Sequence, residues 1–340
     1  LVLDARGMTR GIAPLILGYQ AFDTEVKIAG VILNQLGGSR HEAKLRAVIE
    51  HYTDVPVLGG VHRHPELEID ERHLGLIPSN EAAAASNKIA AIRSRIDDQV
   101  DIDRLLTLAG TDTLDYTPRP PASVPAAEPV RIGIARDSAF GFYYPDDLAA
   151  LKRAGAELVP FSTLEDSALP NIDGLFIGGG FPETCMTELA ANSALRADIR
   201  TAIENGLPTY AECGGLMYLT RSLSWRGQCS DMVGVIPADT LMHEKPQGRG
   251  YVRLRETTAA PWPGKPASGV IPAHEFHYSA LVNIDHSLEY AYEMERGTGV
   301  DGHHDGILLH KLLACYSHMR DTDLHHWAAR FVEYVRNNRH

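Results

Sequence analysis

The sequence lacks the features that mark membrane proteins and nucleic-acid-binding proteins. No apolar run approaches the roughly 20 residues of a membrane-spanning helix, and no signal peptide is visible. Positive charge is also scarce, because 32 Lys and Arg stand against 44 Asp and Glu and leave a net charge of −12. Such an acidic chain is poorly suited to holding phosphate backbones. We therefore expect neither a membrane nor a nucleic acid among its partners.

Cysteine is scarce, and its spacing does not suggest a metal site. The four cysteines show no C-x-x-C pattern of the kind that binds metals, and they are Cys185, Cys213, Cys229 and Cys315. The composition, 44% hydrophobic and 22% charged, is typical of a soluble globular protein. We expect reduced thiols in a cytoplasmic protein, one of them a candidate for chemistry.

The N-terminal part alternates short apolar strands with helices. Residues 2–5, 29–34 and 55–59 are predicted strands, and the alternation predicts a parallel, doubly wound sheet. Ligands of such sheets bind at the carboxyl ends of the strands, where Asp4 and Asn34 stand. Asp4 is therefore a candidate for Mg²⁺ or a phosphate, and Asn34 for a nucleotide base. Both residue types are also common in turns and caps, so that interpretation stays open.

A proline-rich stretch divides the chain. Residues 111–129 contain five prolines without apolar periodicity, which indicates a semi-rigid linker. We accordingly predict two doubly wound α/β domains, at 1–110 and 130–340.

The most informative stretch surrounds Cys213. A β-favouring run, 208–212, ends at this cysteine, and Gly214 and Gly215 lead directly into an apolar helix. A strand, a sharp turn and a helix resemble the nucleophile elbow of hydrolases, with Cys in place of Ser. A thiol at a helix N-terminus is favoured as thiolate. The pattern predicts a nucleophile, although a buried cysteine on a strand-to-helix turn would look similar.

A thiolate nucleophile needs a histidine and an oxyanion site. Among the 16 histidines, His318 is the best candidate because it follows a predicted strand, 309–317. In the run Gly178–Gly180, several backbone N–H groups could point at one oxyanion. The same run could simply form a tight turn. His274 and His277 flank Glu275 without H-E-x-x-H spacing, so a zinc site is not predicted.

Several runs together resemble one family, the glutamine-dependent cobyrinic acid a,c-diamide synthases. They appear in the family's order over nearly the whole chain. The runs are residues 3–8 (LDARGM), 30–34 (GVILN), 71–76 (ERHLGL), 135–145 (ARDSAFGFYYP), 178–183 (GGGFPE), 211–218 (AECGGLMY), 274–279 (HEFHYS) and 313–318 (LACYSH).

The resemblance implies an enzyme with two functional parts. The C-terminal part is similar to class I glutaminases, with Cys213 as nucleophile and His318 as proton carrier. Backbone N–H groups of Gly180 or Phe181, and of Gly214, would form the oxyanion hole. The N-terminal part is similar to dethiobiotin-synthetase-like P-loop domains, in which ATP with Mg²⁺ would activate a tetrapyrrole acetate for amidation by ammonia.

The chain departs from the family pattern in two places. Many class I glutaminases carry an acid two residues after the catalytic histidine, and here that residue is Arg320. No G-x-x-x-x-G-K-[ST] motif occurs in the chain, although its backbone and lysine would cradle ATP phosphates. We expect that the chain begins inside the P-loop domain, and that by itself it hydrolyses glutamine without completing the amidation.

The resemblance leaves the substrate open. Cobyrinic or hydrogenobyrinic acid, siroheme and nickel sirohydrochlorin are the alternatives, and all are polycarboxylated macrocycles. The candidate contacts to the macrocycle are Arg72, His73, Tyr143, Tyr144, His274 and His277. We also expect a homodimer. A stand-alone thiol hydrolase and a non-catalytic tetrapyrrole-binding protein are the rival functions.

Overall fold

The computed structural model describes residues 1–69, 82–110, 128–266 and 269–339. The chain divides into two compact units, Leu1–Pro120 and Pro121–His340. The linker predicted at 111–129 falls almost entirely outside the described residues, as do the macrocycle candidates Arg72 and His73.

The N-terminal unit contains a three-stranded parallel sheet of order β1-β2-β3. Its elements are β1 (Val2–Asp4), α1 (Ile12–Phe22), β2 (Val31–Leu36), α2 (Ser39–Tyr52), β3 (Val57–His62), α3 (Ala82–Gln99) and α4 (Ile102–Ala109). Asp4 on β1 and Asn34 on β2 lie opposite each other in the register of these parallel strands. They therefore stand at the same edge of the sheet, where the carboxyl ends of the strands meet.

The C-terminal unit is larger and mixes parallel and antiparallel pairing. Its first half comprises β4 (Val130–Ala135), β5 (Phe140–Phe142), α5 (Pro145–Arg153), β6 (Ala156–Phe161), β7 (Gly174–Ile177), β8 (Gly179–Gly180), α6 (Met186–Ala191), α7 (Ser193–Glu204), β9 (Thr209–Glu212) and α8 (Gly214–Leu219). Its second half comprises β10 (Thr220–Trp225), β11 (Gln228–Asp231), β12 (Ile236–Met242), β13 (Gly248–Glu256), β14 (Ile271–His277), β15 (Ser279–Val282), β16 (Glu289–Arg296), β17 (His304–Leu309), β18 (Leu312–Cys315) and α9 (Trp327–Asn338).

A nine-stranded sheet of order β14-β13-β16-β17-β18-β9-β7-β4-β6 forms the centre of this unit. The five strands from β18 to β6 run parallel to one another, which confirms the predicted α/β class. Their carboxyl ends therefore share one edge, where β9 leads into Cys213 and β18 leads towards His318.

Apolar residues cover both faces of the sheet. All four positions of β9 are buried, as a strand with both faces covered requires. On one side, α7 presents Leu195, Ile199 and Ile203 at helical spacing. On the other side, Trp327 and Phe331 of α9 pack around Tyr210. This packing fixes the strand that carries the nucleophile candidate.

No described helix has both the length and the apolar character needed to cross a membrane.

A buried cation links α9 to the sheet. Arg330 is 8% exposed, and its guanidinium donates to a Glu256 carboxylate oxygen at 2.6 Å. It also donates to the carbonyls of Pro263 at 2.8 Å and Trp262 at 3.1 Å. Since Arg330, Glu256 and Trp262 are all largely shielded from water, removal of the cation leaves a shielded carboxylate and the Trp262 carbonyl without their partner.

We predict that Arg330→Leu lowers the free energy of unfolding of the C-terminal unit by about 3 kcal/mol. Urea unfolding followed by tryptophan fluorescence measures this, because all three tryptophans lie in that unit. The control is Arg200→Leu, which breaks the exposed pair with Glu204 and should cost less than about 1 kcal/mol. Equal losses in the two variants would contradict the prediction.

Candidate active site

Cys213 occupies a strained turn between β9 and α8. Its backbone has φ 47° and ψ −100°, a region that costs a non-glycine residue on the order of 1–3 kcal/mol. Two hydrogen bonds hold it there: its N–H donates to the Cys315 carbonyl at 2.7 Å, and its carbonyl accepts from the Met217 N–H at 3.0 Å. The predicted strand–turn–helix is therefore present, with the cysteine at the N-terminal end of a helix.

The turn requires glycine directly after the cysteine. A Cβ on Gly214 would stand 2.8 Å from the Gly180 nitrogen, and a Cβ on Gly215 would stand 2.1 Å from the Ile177 carbonyl oxygen. Real Cβ contacts do not reach such distances with backbone atoms. The two glycines thus let the elbow approach the glycine run after β7.

His318 lies beside Cys213, as the sequence predicted. The imidazole interacts with the Cys213 thiol, and this interaction raises the pKa of His318. The backbone of His318 is fixed by a pair of hydrogen bonds with His274, at 2.7 Å and 3.1 Å. Gly179 makes room for the ring, since a Cβ there would stand 2.6 Å from the His318 Cε1.

Glu212 supplies the acid that orients His318. Its carboxylate Oε2 lies 3.4 Å from the His318 Nδ1, and its Oε1 accepts from the Met319 N–H at 3.1 Å and the Tyr210 hydroxyl at 2.5 Å. Burial alone would lower the pKa of His318. The thiol of Cys213 and the carboxylate of Glu212 outweigh it and hold that pKa well above its usual value. Both neighbours of His318 therefore favour the protonated imidazole.

The turn that leads to His318 is held by a second buried carboxylate. Asp305 is 0% exposed. It accepts from the Tyr316 N–H at 3.0 Å and from the Ser317 N–H at 2.9 Å. With Met319 bonded to Glu212, the amides on both sides of His318 are fixed, which limits the orientations that the imidazole can take.

Of the amides expected to form an oxyanion hole, one is already bonded within the protein and two lie beside the elbow. The Phe181 N–H donates to the Ala139 carbonyl at 2.8 Å, so the structure removes Phe181 from the candidates. Gly180 stands beside the elbow, because its nitrogen is the atom that a Cβ on Gly214 would meet. The amides of Gly180 and Gly214 remain as the pair next to the thiol.

Two of the six macrocycle candidates are occupied within the protein. The Tyr143 hydroxyl donates to the Ala135 carbonyl at 2.6 Å and accepts from the Gly178 N–H at 3.1 Å. His277 is 3% exposed, and its ring stacks on Tyr316 at a centroid distance of 3.9 Å. The structure gives these two assignments no support, because the Tyr143 hydroxyl already has two partners and the His277 ring is buried.

His274 and Tyr144 are the described candidates that remain accessible. Both are half-buried. Burial and the charge of His318 lower the pKa of His274 and so favour its neutral form. The Tyr144 ring lies under the Arg320 guanidinium, 4.1 Å from the ring centroid.

Arg320 takes no part in orienting His318. Its guanidinium donates to the Asp146 carboxylate at 3.1 Å and lies 3.7 Å from Asp147. The position that carries an acid in many glutaminases therefore faces α5, and Glu212 stands in for that acid from the strand side.

The nucleotide and magnesium candidates have local partners. The Asp4 carboxylate accepts from the Arg6 backbone N–H at 3.0 Å and from its guanidinium, and the Asn34 side-chain Oδ1 accepts from the Gln35 N–H at 2.9 Å. Within the described ranges, no group of three or more His, Cys, Asp or Glu side chains could hold a metal ion. Asp4 could therefore hold Mg²⁺ only together with the phosphates of a bound nucleotide.

Sequence reasoning missed Glu212, although a signal was present. A carboxylate at the end of an otherwise uncharged, fully buried strand is rare unless it is paired. Glu212 is 4% exposed and directly precedes Cys213, so a partner within the site could have been expected.

Comparison with known proteins gives several matches. A family model described as the CobB/CobQ-like glutamine amidotransferase domain matches residues 131–322. A cobyrinate a,c-diamide synthase of Magnetococcus marinus is 45% identical over 97% of this chain and 72% of that protein. The cobyrinate a,c-diamide synthase of Archaeoglobus fulgidus is 39% identical over 98% of this chain and 72% of that protein. Among solved structures, PurLQS from Thermotoga maritima covers 62% of this chain and 99% of that chain, with 17% identity and a TM-score of 0.47.

We predict that Glu212→Gln lowers the kcat of glutamine hydrolysis by roughly 10- to 100-fold. The amide keeps the shape of the side chain but removes the charge that helps to raise the pKa of His318. Because a protonated imidazole is needed to release ammonia, the alkaline limb of the kcat/KM profile should move to lower pH.

The matched control is Glu188→Gln, which changes an exposed carboxylate on α6 and should leave the profile in place. An unshifted alkaline limb in Glu212→Gln would show that Glu212 does not set the protonation of His318.

Proposed function

The chain belongs to the cobyrinate a,c-diamide synthase family, and we propose that it converts carboxylate side chains of a cobyrinic-acid-type tetrapyrrole into amides with nitrogen from glutamine. It is a glutamine-hydrolysing amidating ligase. The observation that carries the proposal is the placement of His318 between the Cys213 thiol and the Glu212 carboxylate, inside the glutamine amidotransferase domain.

In the first half-reaction the Cys213 thiolate attacks the amide carbon of glutamine. A sulfur–carbon bond forms, and the carbonyl oxygen becomes an oxyanion facing the amides of Gly180 and Gly214. His318 then donates its proton to the amide nitrogen, the carbon–nitrogen bond breaks and ammonia leaves. A thioester remains on Cys213.

In the second half-reaction a water molecule attacks the thioester. His318, now neutral, takes a proton from the water. The oxyanion forms again at the same pair of amides, the sulfur–carbon bond breaks, and glutamate leaves. The thiolate and the protonated imidazole are restored, held by Glu212 on the far side of the ring.

We further propose that the ammonia is used for ATP-dependent amidation. ATP would supply the energy to activate the carboxylate when it is bound. Asn34 stays a candidate contact for the nucleotide and Asp4 for Mg²⁺ or a phosphate. Arg72, His73, Tyr144 and His274 stay candidates for the macrocycle.

We predict that Cys213→Ser lowers ammonia release from glutamine by at least about 10³-fold. The serine hydroxyl is a far weaker nucleophile than the thiolate. It is also much less acidic than the thiol, so it does not give up its proton to His318. Ammonia is measured with a coupled dehydrogenase assay. The control is Cys229→Ser, which changes an exposed thiol and should keep wild-type activity. Equal ammonia release by both variants would remove Cys213 from the reaction.

The substrate is tested by mass spectrometry of the macrocycle. Cobyrinic acid, siroheme and nickel sirohydrochlorin are each incubated with the whole protein, ATP and glutamine. We expect cobyrinic acid to show the mass decrease of two hydroxyl groups replaced by two amino groups. Conversion of siroheme or nickel sirohydrochlorin alone would assign the chain to another branch, and conversion of none would contradict the amidation.

A further inference from the structure

The run at residues 135–145 resembles the family motif but has no part in the chemistry described above. It leaves the carboxyl end of β4, makes the short strand β5 and enters α5. The strand β5 pairs antiparallel with β8, so that Phe140 lies opposite Gly180 and Phe142 opposite Gly179. The run therefore lies directly along the glycine loop that faces the elbow.

The start of this run is anchored by Asp137. Its Oδ1 accepts from the N–H groups of Ala139 at 2.8 Å and Phe140 at 3.0 Å. Its Oδ2 accepts from the Thr163 hydroxyl at 2.7 Å. The carboxylate thus ties the turn before β5 to the residues that follow β6, and the Ala139 carbonyl is held where it accepts the Phe181 N–H.

The end of the run is anchored by Tyr143. Its hydroxyl accepts from the Gly178 N–H and donates to the Ala135 carbonyl, so it bridges β4 and the glycine loop. The ring packs edge-on against Phe176, at a centroid distance of 5.2 Å. A Cβ on Gly178 would stand 2.5 Å from the ring. Burial raises the pKa of Tyr143 well above its usual value, so the phenol stays protonated and both bonds persist.

The two anchors act at opposite ends of the glycine loop. Gly178 is held through Tyr143 and Phe181 through Ala139, while Gly179 and Gly180 between them pair with β5. A peptide group in such a loop can turn over when its bonds are lost, because glycine tolerates nearly all backbone conformations. An oxyanion site works only when its donors are already aimed.

We propose that Tyr143 is a positioning residue whose hydroxyl fixes the Gly178–Gly180 loop so that the Gly180 amide points at the oxyanion formed on the Cys213 adduct. This inference rests on the proposed glutaminase function. Tyr143 acts through the loop and touches neither the thiol nor the imidazole among its described bonds.

Tyr143→Phe separates this role from general damage to the site. The variant keeps the ring and loses the bridge between Gly178 and Ala135. Two reactions of Cys213 are compared: glutamine hydrolysis, which passes through an oxyanion, and alkylation by iodoacetamide, which does not. We expect kcat to fall roughly 10- to 100-fold, while the alkylation rate and the KM for glutamine stay at wild-type values.

Amide hydrogen exchange over residues 176–181 gives a second readout that needs no activity. The Gly178 amide should exchange faster in Tyr143→Phe than in the wild type. Tyr334→Phe, which removes a hydroxyl from α9 in the same unit, is the control and should change none of these quantities.

The outcomes separate the two proposals. Unchanged kcat and unchanged exchange in Tyr143→Phe would overturn the positioning role, and so would a parallel loss of kcat and alkylation rate. If the wild-type protein releases no ammonia from glutamine, the proposed function fails. In that case hydrogen exchange alone decides whether Tyr143 holds the loop.

Discussion

The site depends on the interaction between the Cys213 thiol and the His318 imidazole in a largely dry environment. Cys213 is 8% exposed, and burial by itself would lower the pKa of His318. Glu212 reverses this for His318, because its carboxylate stabilises the imidazolium from the side opposite the thiol. Cys213 and Glu212, the carboxylate that stabilises the imidazolium of His318, are adjacent in the sequence. The strand β9 therefore positions both residues at once.

The rest of the C-terminal unit holds Cys213, His318 and Glu212 together by bringing several chain segments into close contact. Four segments far apart in sequence converge at the carboxyl edge of one parallel sheet: the run after β4, the glycine loop after β7, the elbow after β9 and the turn after β18. Only glycine allows the middle two to approach as they do, since a Cβ at Gly214 or Gly215 would meet backbone atoms. The elbow after β9 and the glycine loop after β7 lie very close to each other. This close approach accounts both for the strained backbone of Cys213 and for the glycines beside it.

The sequence was sufficient where a local pattern carries the function. The elbow at Cys213, the α/β class and the family follow from short runs, and the strand before His318 places that residue on the same sheet edge. Residues whose roles depend on distant partners were not predictable. Glu212 acts through a residue more than 100 positions away. Tyr143 and His277 look like ligands in the sequence, because nothing local reveals that the Tyr143 hydroxyl is already bonded or that the His277 ring is buried. Arg320 was recognised as a departure, but its partners on α5 become visible only in the fold.

The most direct test of the central pair uses a glutamine analogue with a diazoketone in place of the amide. Its carbon is attacked by an activated thiolate and the adduct is permanent, so peptide mass spectrometry identifies the reacting residue. We expect a single adduct on Cys213 in the wild type, formed far more slowly when His318 is replaced by Asn. An adduct on Cys185 or Cys229, or equal labelling of Cys213 with and without the imidazole, would contradict it.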